Sequence, residues 1–226
     1  MEIIIEIINF IGIISFAAAG AMVAIDKEND LFGVVTLSLV TCFGGGLIRD
    51  VIAGQSIGKE LPAVFTDFQL EIFVCILTAL AMFFIAMVTK EKYIKEEATV
   101  EKINNVLDAL GIGVFSVMGT AAYMELGFFI SIFMGLLTSV GGSITRDVML
   151  GTIPMVFRKR IYAVACLIGS SAYYLIITYF MKGMPSANIV ATIACISIIF
   201  IIRMCATVFR WNLPVAIKFT KDKTDI

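Results

Sequence analysis

Twice in this chain an arginine and an aspartate stand side by side inside apolar text, in GGGLIRDV at 44–51 and GGSITRDV at 141–148. An ionised group in the hydrocarbon core costs at least about 2.5–3.5 kcal/mol on insertion scales, so such groups face water, one another or a passing ion. A carboxylate on a hydrated path attracts cations, whereas an arginine there repels them and can act as a gate. Arg49, Asp50, Arg146 and Asp147 are therefore candidate pathway charges. The competing reading has Arg49 and Arg146 reach along their helices to opposite membrane interfaces. Adjacent helical positions point about 100° apart. Each charge is thus expected to find its partner on another helix.

The residues before each pair carry the second signal. Gly44, Gly45 and Gly46 in the first stretch, with Gly141, Gly142 and Ser143 in the second, sit where a helix is otherwise expected. Each glycine costs a helix roughly 1 kcal/mol relative to alanine. One gain is a broken helix whose freed carbonyls coordinate a cation, permitted at membrane depth only where they line a cavity or are buried by protein. The other is close packing of two helices through small residues. Recurrence beside a charged pair favours the break.

Other polar residues are weaker signals. Glu6, Asn9, Asp108, Glu125 and Arg203 lie near span ends and read as interfacial anchors. Cys42, Cys75, Cys166, Cys195 and Cys205 lie in apolar runs with no CxxC spacing, so they read as small buried hydrophobes without a disulfide or metal signal. Histidine is absent, which excludes His-based triads and His-dependent zinc sites. GGGLIRD lacks the Lys-Ser/Thr of a phosphate-binding loop, and no nucleophile has a base to activate it. No cofactor, no metal, no nucleic-acid partner and no enzymatic activity are expected.

The elements that must position these residues are membrane spans. Of 226 residues 60% are hydrophobic and 15% charged, with a mean hydropathy of +0.99. Lys, Asp and Glu cluster between long apolar runs. A bilayer core about 30 Å thick takes roughly 20 helical residues. Seven spans are predicted, at 3–25, 31–53, 69–89, 105–124, 128–150, 161–180 and 188–209. The first begins MEIIIEIINF, with no basic residue ahead of it and no evident cleavage site, and reads as a span and not a signal peptide. Seven crossings sort the connections onto two sides, and the Lys and Arg residues outside the spans fall twelve against two. The rich side holds Lys27, Lys90, Lys92, Lys95, Lys102, Arg158 to Arg160, Arg210 and the tail lysines; the poor side holds Lys59 and Lys182. The N-terminus is therefore expected outside and the C-terminus in the cytoplasm.

The two charged stretches belong to a longer internal repeat. PAVF at 62–65 answers PMVF at 154–157, Thr41 answers Thr138, and IGIISFAAAG at 11–20 answers LGIGVFSVMG at 110–119. Spans 1–3 thus correspond to spans 4–6. A repeat with three crossings enters the membrane from opposite sides in its two copies, giving an inverted pair. The expected architecture is an all-α integral membrane protein of seven transmembrane helices, two inverted three-helix repeats plus a seventh helix. Its units are repeat 1 over 1–88, a cytoplasmic linker at 89–104, repeat 2 over 105–182, the seventh helix at 186–210 and a cytoplasmic tail at 211–226. An insertion at 55–61 distinguishes the first repeat from the second.

The doubled motif GGGLIRDV and GGSITRDV, set in two three-helix repeats with a seventh helix, resembles the prokaryotic branch of the trimeric intracellular cation (TRIC) channels, whose two-repeat domain is also labelled a glycine transporter. The resemblance covers about residues 5–210. It implies a homotrimer with a pore in each protomer, potassium as the favoured ion, and spans 2 and 5 kinked at Gly44 to Gly46 and at Gly141, Gly142 and Ser143. It also implies that Arg49, Asp50, Arg146 and Asp147 are the polar elements beside those kinks. Ser143 departs from the family pattern by replacing a third glycine.

Three functions remain in view. The first is a potassium-permeable or other monovalent-cation channel in a prokaryotic cytoplasmic membrane. The second is a secondary transporter of glycine or another small zwitterion, which inverted repeats and broken helices suit as well. The third is a structural or lipid-binding membrane protein using its basic side against membrane lipids.

Overall fold

The computed structural model describes residues 2–57, 62–158 and 161–211. The helices are α1 (Glu2–Asp26), α2 (Leu31–Ile57), the short α3 (Ala63–Thr66), α4 (Gln69–Val88), α5 (Lys90–Lys95), α6 (Glu97–Ala121), α7 (Phe128–Met149), α8 (Met155–Arg158), α9 (Ala163–Leu175) and α10 (Ala187–Val208). A 3-10 turn, Met124–Leu126, precedes α7, and α9 continues as a π-helical turn over Ile176–Phe180. Among the described residues seven helical segments are long and apolar enough to cross a membrane: Ile3–Asp26, Leu31–Ala53, Gln69–Val88, Glu97–Ala121, Phe128–Met149, Ala163–Phe180 and Ala187–Val208. The chain is therefore a multi-pass, all-α membrane protein. Inside a bilayer no water is available to the backbone, and helices are the elements that satisfy every backbone group within one segment.

Six of the seven spans begin and end within about three residues of the expected positions. The exception is α6, which starts at Glu97, eight residues ahead of the expected 105. EATVEKIN is polar but rich in residues that favour helix, so the helix runs on beyond the apolar stretch. The 89–104 segment is correspondingly helical, made of α5 and the first turns of α6. Lys59 and most of the 55–61 insertion, Lys159 and Arg160, and the tail from 212 onward lie outside the described residues.

Local signals fix the helix ends. Asp30 caps α2, its Oδ1 accepting the Gly33 N–H at 2.8 Å. Gly127 enters α7 at φ 91° and Gly151 follows its end at φ 66°, a region open to glycine without steric cost.

Four helices meet in the middle of the molecule. Phe16 of α1 stacks on Phe115 of α6, with ring centroids 4.9 Å apart and planes inclined by 14°. These two residues are counterparts in the repeat. Beside them α2 crosses α7, and the contacts are reciprocal. A methyl group on Gly45 would overlap the carbonyl of Thr138, and one on Gly142 would overlap the carbonyl of Thr41. Thr41 and Thr138 donate their hydroxyls to Leu37 and Met134 of their own helices, each at 2.6 Å. Repeat-matched positions thus meet one another across the crossing, as a local two-fold relation requires.

Candidate functional site

The glycines do not break their helices. α2 and α7 run without interruption through Gly44 to Gly46 and Gly141 to Ser143, which corrects the expected break and its freed carbonyls. The physical reason lies in the crossing: Gly44, Gly45, Gly141 and Gly142 let two backbones approach until a Cβ on Gly141 would stand 2.9 Å from the Gly45 Cα. Close contact of the two helices offsets the propensity cost of the glycines. Gly46 differs from them, since a methyl group there would meet only Arg49 Nη2, at 3.8 Å.

One turn beyond the crossing stand the charges. Arg49 Nε donates to Asp50 Oδ1 at 2.7 Å, and Nη2 lies 2.6 Å from the same oxygen. Arg146 repeats the arrangement, with Nε and Nη2 donating to Asp147 Oδ1 at 2.9 and 2.7 Å. Each arginine therefore pairs with its own neighbour, against the expectation of a partner on another helix. The 100° between adjacent Cα–Cβ vectors is overcome because the long arginine side chain folds back over its own turn. Such pairing removes the net charge from the membrane interior without calling on a second helix.

The second contacts of the two pairs differ. Arg49 Nη1 donates to Thr138 Oγ1 of α7 at 3.3 Å. Its guanidinium lies 5.7 Å from the centroid of the Tyr123 ring, and the Tyr123 hydroxyl donates to Asp50 Oδ1 at 3.4 Å. Tyr123 lies between α6 and α7, and burial raises its phenol above the ordinary value of 10.0 against the opposing pull of Arg49. The hydroxyl thus stays protonated and able to donate. Asp147 is tied instead to the chain beyond α7: its Oδ2 accepts the Met155 N–H at 3.1 Å, and its carbonyl accepts the Thr152 N–H at 2.9 Å.

The surroundings of the two pairs also differ. Arg49, Asp50, Gly46 and Thr138 border a recess of about 390 Å³, counting its open mouth, whose remaining wall is apolar and includes Ile13, Phe115 and Met118. Arg146 is 1% exposed against 8% for Arg49. One charged pair thus faces space and its repeat counterpart is closed in.

A further polar cluster went unread in the sequence. Arg203 Nη2 of α10 donates to Asp108 Oδ2 of α6 at 2.7 Å. The Tyr162 hydroxyl donates to Asp108 Oδ1 at 3.0 Å and lies 3.2 Å from Ser143 Oγ. The Arg203 guanidinium covers the Tyr162 ring, 4.1 Å from its centroid. Asp108 and Arg203 are buried, which corrects their reading as interfacial anchors. With α6 starting at Glu97, Asp108 stands three turns inside the helix and not at its mouth. An ionisable pair within the spans was the available signal. Glu6 and Glu125 are exposed. Ser143, the residue in place of the third glycine, joins α7 to this cluster.

Comparison with known proteins follows the same two halves. A family model described as glycine transporter matches residues 6–87 and 105–178. The chain is 30% identical to the UPF0126 membrane protein YvgT of Bacillus subtilis, over 92% of this chain and 95% of that protein. It is 32% identical to the UPF0126 inner membrane protein YadS of Escherichia coli K12, over 91% and 92%. Among solved structures it resembles a TRIC cation channel described for its basis of conductance, with TM-score 0.76 and 27% identity over 95% of this chain and 98% of that one. It also resembles the TRIC trimeric intracellular cation channel orthologue of Rhodobacter sphaeroides, with TM-score 0.74 and 29% identity over 92% and 99%.

Proposed function

Because the chain belongs to the glycine-transporter family and shares the fold of the prokaryotic TRIC channels, we propose that it is a channel for monovalent cations, potassium foremost, and not an enzyme. The observation that carries this reading is the recess beside the α2–α7 crossing, where a carboxylate and a guanidinium border space inside the spans. In this reading each protomer of a homotrimer holds its own path, running past the two arginine–aspartate pairs. The two halves are inverted repeats, so Arg49 with Asp50 and Arg146 with Asp147 stand toward opposite ends of that path. The glycines and Ser143 shape its middle: Gly44, Gly45, Gly141 and Gly142 hold the two helices together, and Gly46 keeps the wall of the recess open.

Gating follows from the same contacts. Arg49 is tethered by Asp50, Thr138 and the Tyr123 ring. While it stays there its positive charge offsets that of the Asp50 carboxylate on the recess and weakens the attraction for a cation. Moving the guanidinium away would expose Asp50 to the path. In this reading the protein sits in a prokaryotic cytoplasmic membrane, and the excess of Lys and Arg on one side supports an N-terminus outside and a C-terminus inside.

A carrier for glycine is the second reading. A guanidinium and a carboxylate side by side could divide between the two ends of a zwitterion, and the family description points the same way. Recording from purified protein in planar bilayers separates the two: unitary potassium steps support the channel. Saturable glycine uptake into vesicles without such steps would overturn it in favour of the carrier.

A further inference from the structure

The sulfurs of Cys42 on α2 and Cys75 on α4 touch, 3.6 Å apart, although 33 residues separate them in the chain. Cys42 is 1% exposed and Cys75 0%. Cys42 nevertheless borders the recess that holds Arg49 and Asp50. A small ion in that recess meets the first thiol directly, with the second immediately behind it.

What such a pair can hold is limited by what surrounds it. The chain has no histidine, and among the described residues no three or more His, Cys, Asp or Glu residues come together as a metal site would need. Zinc, which takes four ligands, and magnesium or calcium, which take six or more oxygens, have no place here. Two thiolates, beside which the Ile13 carbonyl oxygen accepts from the Cys42 thiol at 3.5 Å, suit soft cations that accept two sulfur ligands.

We propose that Cys42 and Cys75 form a two-thiolate site for a soft heavy-metal cation, entered from the recess. With Hg2+ each thiol gives its proton to water, each sulfur contributes an electron pair to one metal–sulfur bond, and no electron is transferred. The product is a neutral bis-thiolate, which spares the membrane interior an unpaired charge. Zinc–thiolate bonds are about 2.3 Å, and mercury bonds of similar length in line would set the sulfurs about 4.6 Å apart. The sulfurs must then part by about 1 Å, which rotation of Cys42 toward the recess can supply. A disulfide would need the opposite movement, to about 2.05 Å, and a two-electron oxidant as well. The bound ion would tie α2 to α4 one turn before Gly46.

The test is mercuric chloride added to purified full-length protein, with the metal counted by native mass spectrometry and the thiols counted with a thiol-reactive dye. Wild type should bind one ion per chain at this site with the loss of two thiols. A variant carrying C166A, C195A and C205A, which also removes the partly exposed Cys205, should behave identically. C42S or C75S should weaken that binding at least tenfold. Failure of the triple variant to bind, loss of one thiol per ion, or undiminished binding by C42S and C75S would overturn the site. Potassium flux from vesicles should be inhibited by the same mercury concentrations in wild type and not in C42S. Absence of any potassium flux would sink the permeation reading, while the thiol count would still decide the metal site.

Discussion

Arg203 and Asp108 are 95 residues apart in the chain and 2.7 Å apart in the fold, both 3% exposed at their side chains. The pair joins α10, the helix without a counterpart in the repeat, to α6, and Tyr162 and Ser143 extend the join to α7. Breaking a buried pair by removing one partner leaves an uncompensated charge and costs about 3–5 kcal/mol, whereas replacing both partners with apolar residues of similar volume is often neutral. Asp108→Leu and Arg203→Met should therefore each lower thermal stability in detergent by that amount. The double variant D108L/R203M should recover most of the loss. A loss in the double variant equal to the sum of the two single losses, measured as unfolding midpoints, would mean that the pair carries no coupling.

The glycines of the α2–α7 crossing divide into two groups. Gly45→Ala and Gly142→Ala drive a methyl group into backbone carbonyls that cannot rotate away. Each should cost about 1–3 kcal/mol, more than the roughly 1 kcal/mol that alanine returns to a helix. Gly46→Ala meets only the end of the Arg49 side chain, so the propensity gain prevails and stability should hold or rise. Its effect should appear instead in potassium currents, because the new methyl group projects toward the recess. Equal destabilisation by all three substitutions would contradict this division.

Much of this arrangement was legible in the sequence. Seven spans follow from hydropathy and length, and the repeat found Thr41 with Thr138 and Phe16 with Phe115, residues that do meet across the fold or occupy matched places in it. What escaped depended on distance and direction. The same run of glycines is written for a broken helix and for a tight crossing, and only the approach of Gly45 to Thr138 decides between them. The fold-back of Arg49 onto Asp50 is a matter of side-chain torsions, which spacing does not encode. Nothing in the spacing of Asp108, Tyr162 and Arg203, or of Cys42 and Cys75, relates one to another, because helix packing alone brings them together.

Charge on the recess should set cation flow in opposite directions. Arg49→Gln removes the guanidinium paired with Asp50 beside the recess, and Asp50→Asn removes the carboxylate paired with Arg49. One unit charge at 4 Å acts with about 4 kcal/mol at an effective dielectric constant near 20, less where water enters. Potassium current should rise in R49Q and fall in D50N, each by at least about threefold. Currents at matched voltage that moved the same way in both variants, or not at all, would remove this pair from the path.

Tyr123 offers a test by pH. Its hydroxyl donates to Asp50 at 3.4 Å, and burial holds the phenol above 10.0. In the unfolded chain the phenol loses its proton near 10, while in the fold it keeps it to higher pH. The unfolded state therefore binds fewer protons there, and stability falls as pH rises. The contribution of Tyr123 is complete below the unfolded value and is lost as pH climbs through the folded one. Tyr123→Phe keeps the ring beside Arg49 and removes the titrating group. It should cost about 1 kcal/mol at neutral pH through the lost hydrogen bond. The gap between wild type and Y123F should narrow above pH 10, followed by unfolding midpoints in detergent. A gap constant with pH would show that the phenol titrates alike in both states, and a gap that widened would reverse the sign of the shift.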